Sequence, residues 1–328
     1  MNQTTSWAKT PSPAVPRLPE GRRGHPCGYL DSHAVTAQSD RMIAATSRPA
    51  SPTAIPAAHP VLRALLIKPY PAVMGVLNIT PDSFSDGGQF LAPERAVAQA
   101  QRMIAEGADI IDIGAESTRP YGGMQPIPAE QELERLRPVL AQIVALGVPV
   151  SIDSTKPEVT AFALDRGAVI VNDVWGMQRD RGMAELVAVR NCPVILMHNR
   201  DQADPAIDIM RDIAAFFARS LDIAAKAGIP KGNIVLDPGI GFGKTAAQSL
   251  TALARLSELA SFGLPLLVGA SRKSFIASIT PSEPHQRLGG SIAAHLLAAQ
   301  QGARIIRTHD VAETVQALKV ASAIEAKT

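Results

Sequence analysis

From about residue 70 onward, short apolar runs rich in β-branched residues alternate with longer stretches whose apolar positions recur three and four apart. The runs Val73–Leu77, Asp109–Ile113, Val148–Ile152, Val169–Val171, Pro193–Met197, Ile234–Leu236, Leu266–Val268 and Arg304–Ile306 read as strands. Between them, Pro93–Glu106, Ala129–Leu146, Lys156–Asp165, Ile207–Ala227, Ala247–Ala260 and Arg287–Gln301 read as helices, and Val311–Ala326 closes the chain. Gly107, Gly147, Gly167 and Gly228 stand just past helix ends, where a left-handed cap favours glycine. Eight strand–helix units in roughly 255 residues match an α/β fold of the (β/α)8 TIM-barrel type. A doubly wound open sheet is the alternative, but no G-x-G-x-x-G follows the first strand.

The first 60 residues break this pattern. They hold nine prolines among Ser, Thr, Ala and Gly without periodicity. Such a stretch buries too little apolar surface to offset its ordering entropy. We therefore expect a disordered extension over 1–69 ahead of a barrel domain over 70–328. The extension is basic and Ser/Thr-rich, as targeting peptides are, but its prolines oppose the amphipathic helix those peptides use. A later translation start, at Met42 for example, would also account for it.

The formal charge is +2, and the extension carries the excess: residues 61–328 hold 26 basic against 27 acidic side chains. A neutral body offers no electrostatic footprint for nucleic acid. No apolar run approaches the ~18 residues of a membrane span. Cys27 and Cys192 form neither a disulfide framework nor a metal-ligand spacing, which points to a reducing, cytoplasmic setting.

A barrel builds its site from the loops at the C-terminal ends of its strands. In strand order these begin with Asn78, Glu116-Ser117-Thr118-Arg119, Asp153-Ser154, Asn172-Asp173, His198, Asp237-Pro238, Ser271-Arg272-Lys273-Ser274 and Arg307-Thr308-His309. Turn formation and helix capping would explain Asp153, Ser154 or Asp173 singly. They do not explain Lys273, Arg307 and His309 reaching one rim. Arg119, Lys273, Arg307 and His309 suit an anion such as a phosphate. Asp153, Asn172 and Asp237 suit a flat heterocycle presenting a row of N–H donors. Ser274 stands at a helix start, where hydroxyl and backbone N–H groups can hold an anion.

Pro238–Thr245, "PGIGFGKT", imitates a phosphate loop, but only three residues separate Gly239 from Gly243 where that motif needs four. It reads better as a strand-to-helix loop presenting Phe242. Zinc spacing is absent. Asn78 with a substrate diphosphate could hold Mg²⁺, which takes few protein ligands.

The strings "MGVLNITPDSFSDGG", "DIIDIGAESTRP", "VSIDSTKPEV", "VIVNDVWG", "VILMH", "IVLDPGIGFGK", "LLVGASRKSF" and "ARIIRTHD" resemble, in order and spacing, those of bacterial dihydropteroate synthases. The resemblance spans about residues 70–325. It implies a (β/α)8 barrel, usually a homodimer, that joins 6-hydroxymethyl-7,8-dihydropterin diphosphate to p-aminobenzoate with loss of diphosphate. By motif, Asn78 would bind Mg²⁺ and the diphosphate, with Arg307, His309 and Arg119 on the same leaving group. Asp153, Asn172, Asp237 and Lys273 would grip the pterin over Met197. Ser274, Thr118, Pro120 and Phe242 would frame p-aminobenzoate, with Phe84 and Asp86 closing from the first loop. Residues 78–88 then read as a mobile lid.

Two departures stand near the mouth: Asn199-Arg200, where many relatives have a Gln- and Gly-containing stretch, and Tyr121 after Pro120. Two rivals compete. A methyltetrahydrofolate:corrinoid methyltransferase shares the pterin clamp but needs neither lid nor diphosphate residues. A non-catalytic pterin-binding paralogue would be expected to lack one of them.

Overall fold

Parallel strands that carry helices on one side and a barrel interior on the other are buried on both faces, which is why these runs are apolar throughout. The computed structural model describes residues 58–80, 88–116 and 127–327. After a first helix α1 (Pro60–Leu66), eight strands follow: β1 (Ala72–Asn78), β2 (Ile110–Gly114), β3 (Val150–Asp153), β4 (Ile170–Asp173), β5 (Val194–Met197), β6 (Ile234–Asp237), β7 (Leu266–Val268) and β8 (Ala303–Thr308). They close into a parallel barrel in sequence order, β8 pairing with β1.

The outer helices are α2 (Gly88–Ala105), α3 (Ala129–Leu136), α4 (Leu140–Val144), α5 (Pro157–Asp165), α6 (Arg181–Arg190), α7 (Ile209–Ala227), α8 (Ala246–Ala254), α9 (Ser274–Ile279), α10 (Leu288–Gln300) and α11 (Val311–Glu325). Strands and helices end within one or two residues of most sequence-based limits. The single helix expected over Ala129–Leu146 is instead two, because Pro138 lacks the N–H that would continue α3. The expected Ala247–Ala260 helix stops at Ala254, and Leu256–Phe262 continues as a 3₁₀ segment. Helix α6 has only Met183, Ala184 and Val187 buried, too few to stand out as a period. Helix α2 begins at Gly88, five residues before its expected start.

The four glycines expected as caps all take positive φ, between +85° and +102°. Helices α6 and α7 start on Asp180 and Asp208, whose carboxylates accept from backbone N–H groups of the first turn.

Two apolar layers result. The larger lies between barrel and helices. The smaller fills the barrel floor with Ala72, Met74, Ile110, Ile170, Ile195, Val235, Leu267 and Ile305. Leu62 and Leu65 of α1 complete that floor, 1% and 6% exposed. Arg304 ties α1 down by donating to the carbonyls of Leu66, at 2.6 Å, and Lys68, at 3.0 Å. The expected disordered extension over 1–69 is therefore corrected over residues 58–69. The amphipathic span of α1 is short, but its two leucines plug the bottom of the barrel. Residues 1–57 lie outside the described part.

Candidate active site

Counting upward in twos from the floor gives the side chains that face the barrel interior. Ile110 leads to Asp112, Ile170 to Asn172, Ile195 to Met197, Val235 to Asp237, Leu267 to Gly269 and Ile305 to Arg307. The register places Gly114, Asp153 and Asn172 as successive partners across β2, β3 and β4. An apolar floor thus changes to polar groups within one layer, at the end where the loops emerge. Asn172, Met197, Asp237, Phe242, Lys273 and Arg307 line one narrow pocket there, with Val174 and Gly239.

Arg307 organises the far wall. Its Nε donates to Asp112 Oδ2 at 2.6 Å and its Nη2 to Asp153 Oδ2 at 2.8 Å. Asn172 Nδ2 donates to the same Asp112 oxygen at 3.1 Å. Gly269 lies alongside, where a Cβ would sit in ordinary contact 3.7 Å from Arg307 Cβ. The remaining oxygens, Asp112 Oδ1 and Asp153 Oδ1, are buried with no hydrogen-bond partner among the described residues. Unsatisfied buried carboxylate oxygens are rare and costly.

Burial raises the Asp153 pKa to about 7 against the pull of Arg307, with Asp112 adding to the rise. Burial also raises Asp237 to about 6, although Gly239 N–H donates to its Oδ1 at 2.7 Å. Burial and then Arg307 lower Lys273 to about 8, while Asp237 and Asp153 pull it back. Lys273 Nζ lies 3.9 Å from the centre of the Phe242 ring. Phe242 packs with Val174 and Met197.

His309 stands solvent-accessible at the rim, its backbone N–H donating to Ser271 Oγ at 3.1 Å. Although the residue as a whole is exposed, its ring is tucked against Ser271 with Nδ1 3.0 Å from Oγ, and desolvation there, then Arg307 and the other nearby cations, lower its pKa. Ser274 begins α9, as expected of a residue at a helix start.

The pocket sets acceptors opposite two cations, over a methionine floor and beside an aromatic wall, and the sequence matches the family model "Pterin binding enzyme" over residues 74–309. The chain belongs to the pterin-binding enzymes. Dihydropteroate synthase of Bacillus subtilis is 41% identical over 267 residues, which is 81% of this chain and 93% of that protein. A probable bifunctional folylpolyglutamate synthase/dihydropteroate synthase of Haloferax volcanii is 45% identical over 77% of this chain. The present chain spans only 30% of that longer protein. The Xanthomonas albilineans dihydropteroate synthase solved in complex with 7,8-dihydropteroate superposes with a TM-score of 0.72 at 44% identity, covering 78% of this chain and 94% of that one. This places the chain among the dihydropteroate synthases.

Within this pocket, Asp112 is the residue that reading strand ends misses. It lies two residues inside β2, and its signal is the strand period: an acid in phase with Ile110, among isoleucines. Other residues after strands turn away. Asp173 accepts from the N–H groups of Trp175 and Met177 at 2.8 and 2.7 Å, and Ser154 accepts from Lys156 N–H, so the turn-forming reading holds for both. Arg272 pairs with Asp310. His198 is fully buried and bonds to Lys244 and Asp212.

Phe84 and Asp86 of the first loop, with Thr118, Arg119, Pro120 and Tyr121 of the second, lie outside the described residues. The stem of the second loop is described. Ile127 N–H donates to Glu116 Oε1 at 3.0 Å, and Lys156 bridges Glu116 Oε2, at 2.7 Å, to the fully buried Glu132. Arg200, one of the two departures, pairs with both oxygens of Asp212 at 3.0 Å.

For Mg²⁺, the described residues contain no group of three or more acidic, His or Cys ligands. Asn78 Oδ1 and Asp153 Oδ2 flank Gly114, 3.8 and 3.7 Å from where its Cβ would lie. Asp153 Oδ2 is taken by Arg307, so Asn78 Oδ1 alone would serve a cation that takes most of its ligands from a diphosphate and water.

Proposed function

We propose that this chain is a dihydropteroate synthase that joins 6-hydroxymethyl-7,8-dihydropterin diphosphate to p-aminobenzoate. The two orphaned buried oxygens, Asp112 Oδ1 and Asp153 Oδ1, carry this reading. A 2-amino-pyrimidinone edge supplies the N–H donors they lack. Asn172 and Asp237 extend the clamp, and Met197 lies under the ring.

In the reaction the C–O bond to diphosphate breaks, a C–N bond forms, and the arylamine loses one proton. Lys273 and Arg307, which line the pocket, offset the growing charge of the departing diphosphate. Neutral His309 donates or accepts a hydrogen bond at the rim. Bound with the diphosphate at Asn78, Mg²⁺ would supply Lewis-acid stabilisation of that leaving group. Phe242 and the start of α9 at Ser274 frame the second substrate. An aniline nitrogen is barely basic, so no strong general base is needed.

A homodimer and a cytoplasmic setting belong to the same proposal. In support, no described helix is long and apolar enough to cross a membrane, and Cys192 is a free thiol.

The test supplies dihydropterin diphosphate, p-aminobenzoate and Mg²⁺, and follows diphosphate release together with dihydropteroate. Product that requires both substrates, and that disappears with EDTA and in Lys273→Ala, is expected. Tight binding of the pterin diphosphate without product would overturn the catalytic reading.

A further inference from the structure

The string that imitates a phosphate loop turns its lysine inward. Lys244 is 1% exposed. Its Nζ lies 2.6 Å from His198 Nδ1, 2.8 Å from the Gly239 carbonyl and 3.1 Å from the Phe242 carbonyl. These acceptors match the three donors of an ammonium group, while burial lowers the Lys244 pKa to about 7. The other nitrogen of His198, Nε2, lies 2.9 Å from Asp212 Oδ2. Burial and then the Lys244 charge keep this imidazole neutral, so Nε2 carries the hydrogen and Nδ1 accepts. With Arg200 on Asp212, a continuous line runs from the surface to the backbone of Phe242.

The loop that Lys244 grips rests directly on the loop after β5. Gly239 has φ +64°, and a Cβ there would lie 1.9 Å from the His198 carbonyl oxygen. Gly243 has φ +53°, and its Cβ would lie 2.4 Å from the Arg200 carbonyl oxygen. No side chain fits between the two backbones, so hydrogen bonds rather than interdigitated packing must hold the loop's shape. On its pocket side the same loop offers the Phe242 ring to Lys273. One lysine fixes the backbone of Phe242 from behind while the other lies over its face.

We propose that Lys244 is a positioning residue for the arylamine pocket: by tying the Gly239 and Phe242 carbonyls to His198, it sets Phe242 as the wall against which the aromatic second substrate lies. This rests on the dihydropteroate synthase reading and adds to it a residue that never touches substrate. Asp212 and Arg200 extend the clamp outward, which gives the Arg200 departure a place in the same device.

Lys244→Met keeps the apolar volume of the stem and removes the ammonium, so it releases the clamp at the cost of leaving buried acceptors without a donor. The experiment measures steady-state kinetics of the full chain with each substrate varied in turn, for the wild type, Lys244→Met and Asp212→Asn. Lys244→Met is expected to raise KM for p-aminobenzoate by about tenfold, with KM for the pterin diphosphate within about twofold and kcat little changed. Asp212→Asn is expected to raise the same KM by about threefold. Equal rises in both KM values, or none, would overturn the inference, because a general loss of packing does not select one substrate.

The wild type in the same assay reports on the underlying reading, and its failure to turn over would overturn that reading alone. The clamp is then judged from a crystal structure of Lys244→Met. Residues 238–245 are expected to shift and Phe242 to leave Lys273, and an unchanged loop would sink the proposal. If Lys244→Met does not fold, Asp212→Asn, an isosteric change at a side chain 25% exposed, carries both measurements.

Discussion

Arg307, near the end of β8, donates to Asp153, at the end of β3, across the width of the barrel, with Nη2 and Oδ2 2.8 Å apart. The same guanidinium also holds Asp112. Before any substrate arrives, the clamp is therefore under electrostatic tension: two buried acids share one cation, each with one oxygen unpaired.

Removing that cation isolates both acids. Arg307→Met should cost about 3–5 kcal/mol of stability at neutral pH, the usual penalty for breaking a buried pair from one side. Urea unfolding reads this directly, and an unchanged midpoint would show that the carboxylates are compensated by something other than Arg307.

The pH dependence follows from Asp153, whose folded pKa of about 7 lies above its unfolded value. A carboxyl with a raised folded pKa holds a proton in the folded state that the unfolded chain has lost. Its contribution therefore falls as pH rises from about 4 to about 7. Asp153→Asn removes this. In ligand-free protein, the Tm of the variant relative to wild type should rise by several degrees between about pH 5 and about pH 7.5. A constant difference across that window would mean that Asp153 is ionised throughout.

Asp112 makes no approach to the rim, yet the geometry gives it a direct part in binding. Asp112→Asn replaces a charged acceptor with a neutral one and should weaken dihydropterin diphosphate binding by about 2–3 kcal/mol, or about 30- to 150-fold. Isothermal titration of the folded variant checks this. Affinity within about twofold of wild type would remove Asp112 from the clamp.

Helix α1 yields a prediction about the chain's working length. The comparison is between a protein starting at residue 58 and one starting at residue 70. The shorter one loses the burial of Leu62 and Leu65, about 1.5–3 kcal/mol each. It should melt several degrees lower and bind a hydrophobic dye such as ANS. Equal melting of the two truncations would show that the barrel floor closes without α1.

Much of this was legible in the sequence, and the exceptions share physical causes. The eight strands announce themselves because parallel strands are apolar on both faces, and the glycine caps because few other residues adopt positive φ. Asp153, Asn172, Asp237, Lys273 and Arg307 were found by asking what ends each strand. That question takes in neighbours of opposite phase, so it gathers Asp173, His198 and Arg272, which face outward, and passes over Asp112, which lies one step deeper. Lys244 is hidden for another reason: its partners are backbone carbonyls and a histidine 46 residues away, and no local pattern encodes those. Helix α1 is missed because a short amphipathic turn beside prolines has too little period to read.

The alternation of β8 has a consequence for how such a protein can change. Ile305 and Arg307 share the interior face, while Ile306 faces the helices. Losing or gaining a single residue ahead of Arg307 would send the guanidinium into the apolar shell and put an isoleucine between two aspartates, ruining core and chemistry at one stroke. Mouth loops that hold no site residue are free of that constraint, since nothing beyond them depends on their parity. Variation among descendants of this sequence should therefore accumulate as insertions and deletions after the strands, and inside them only as substitutions.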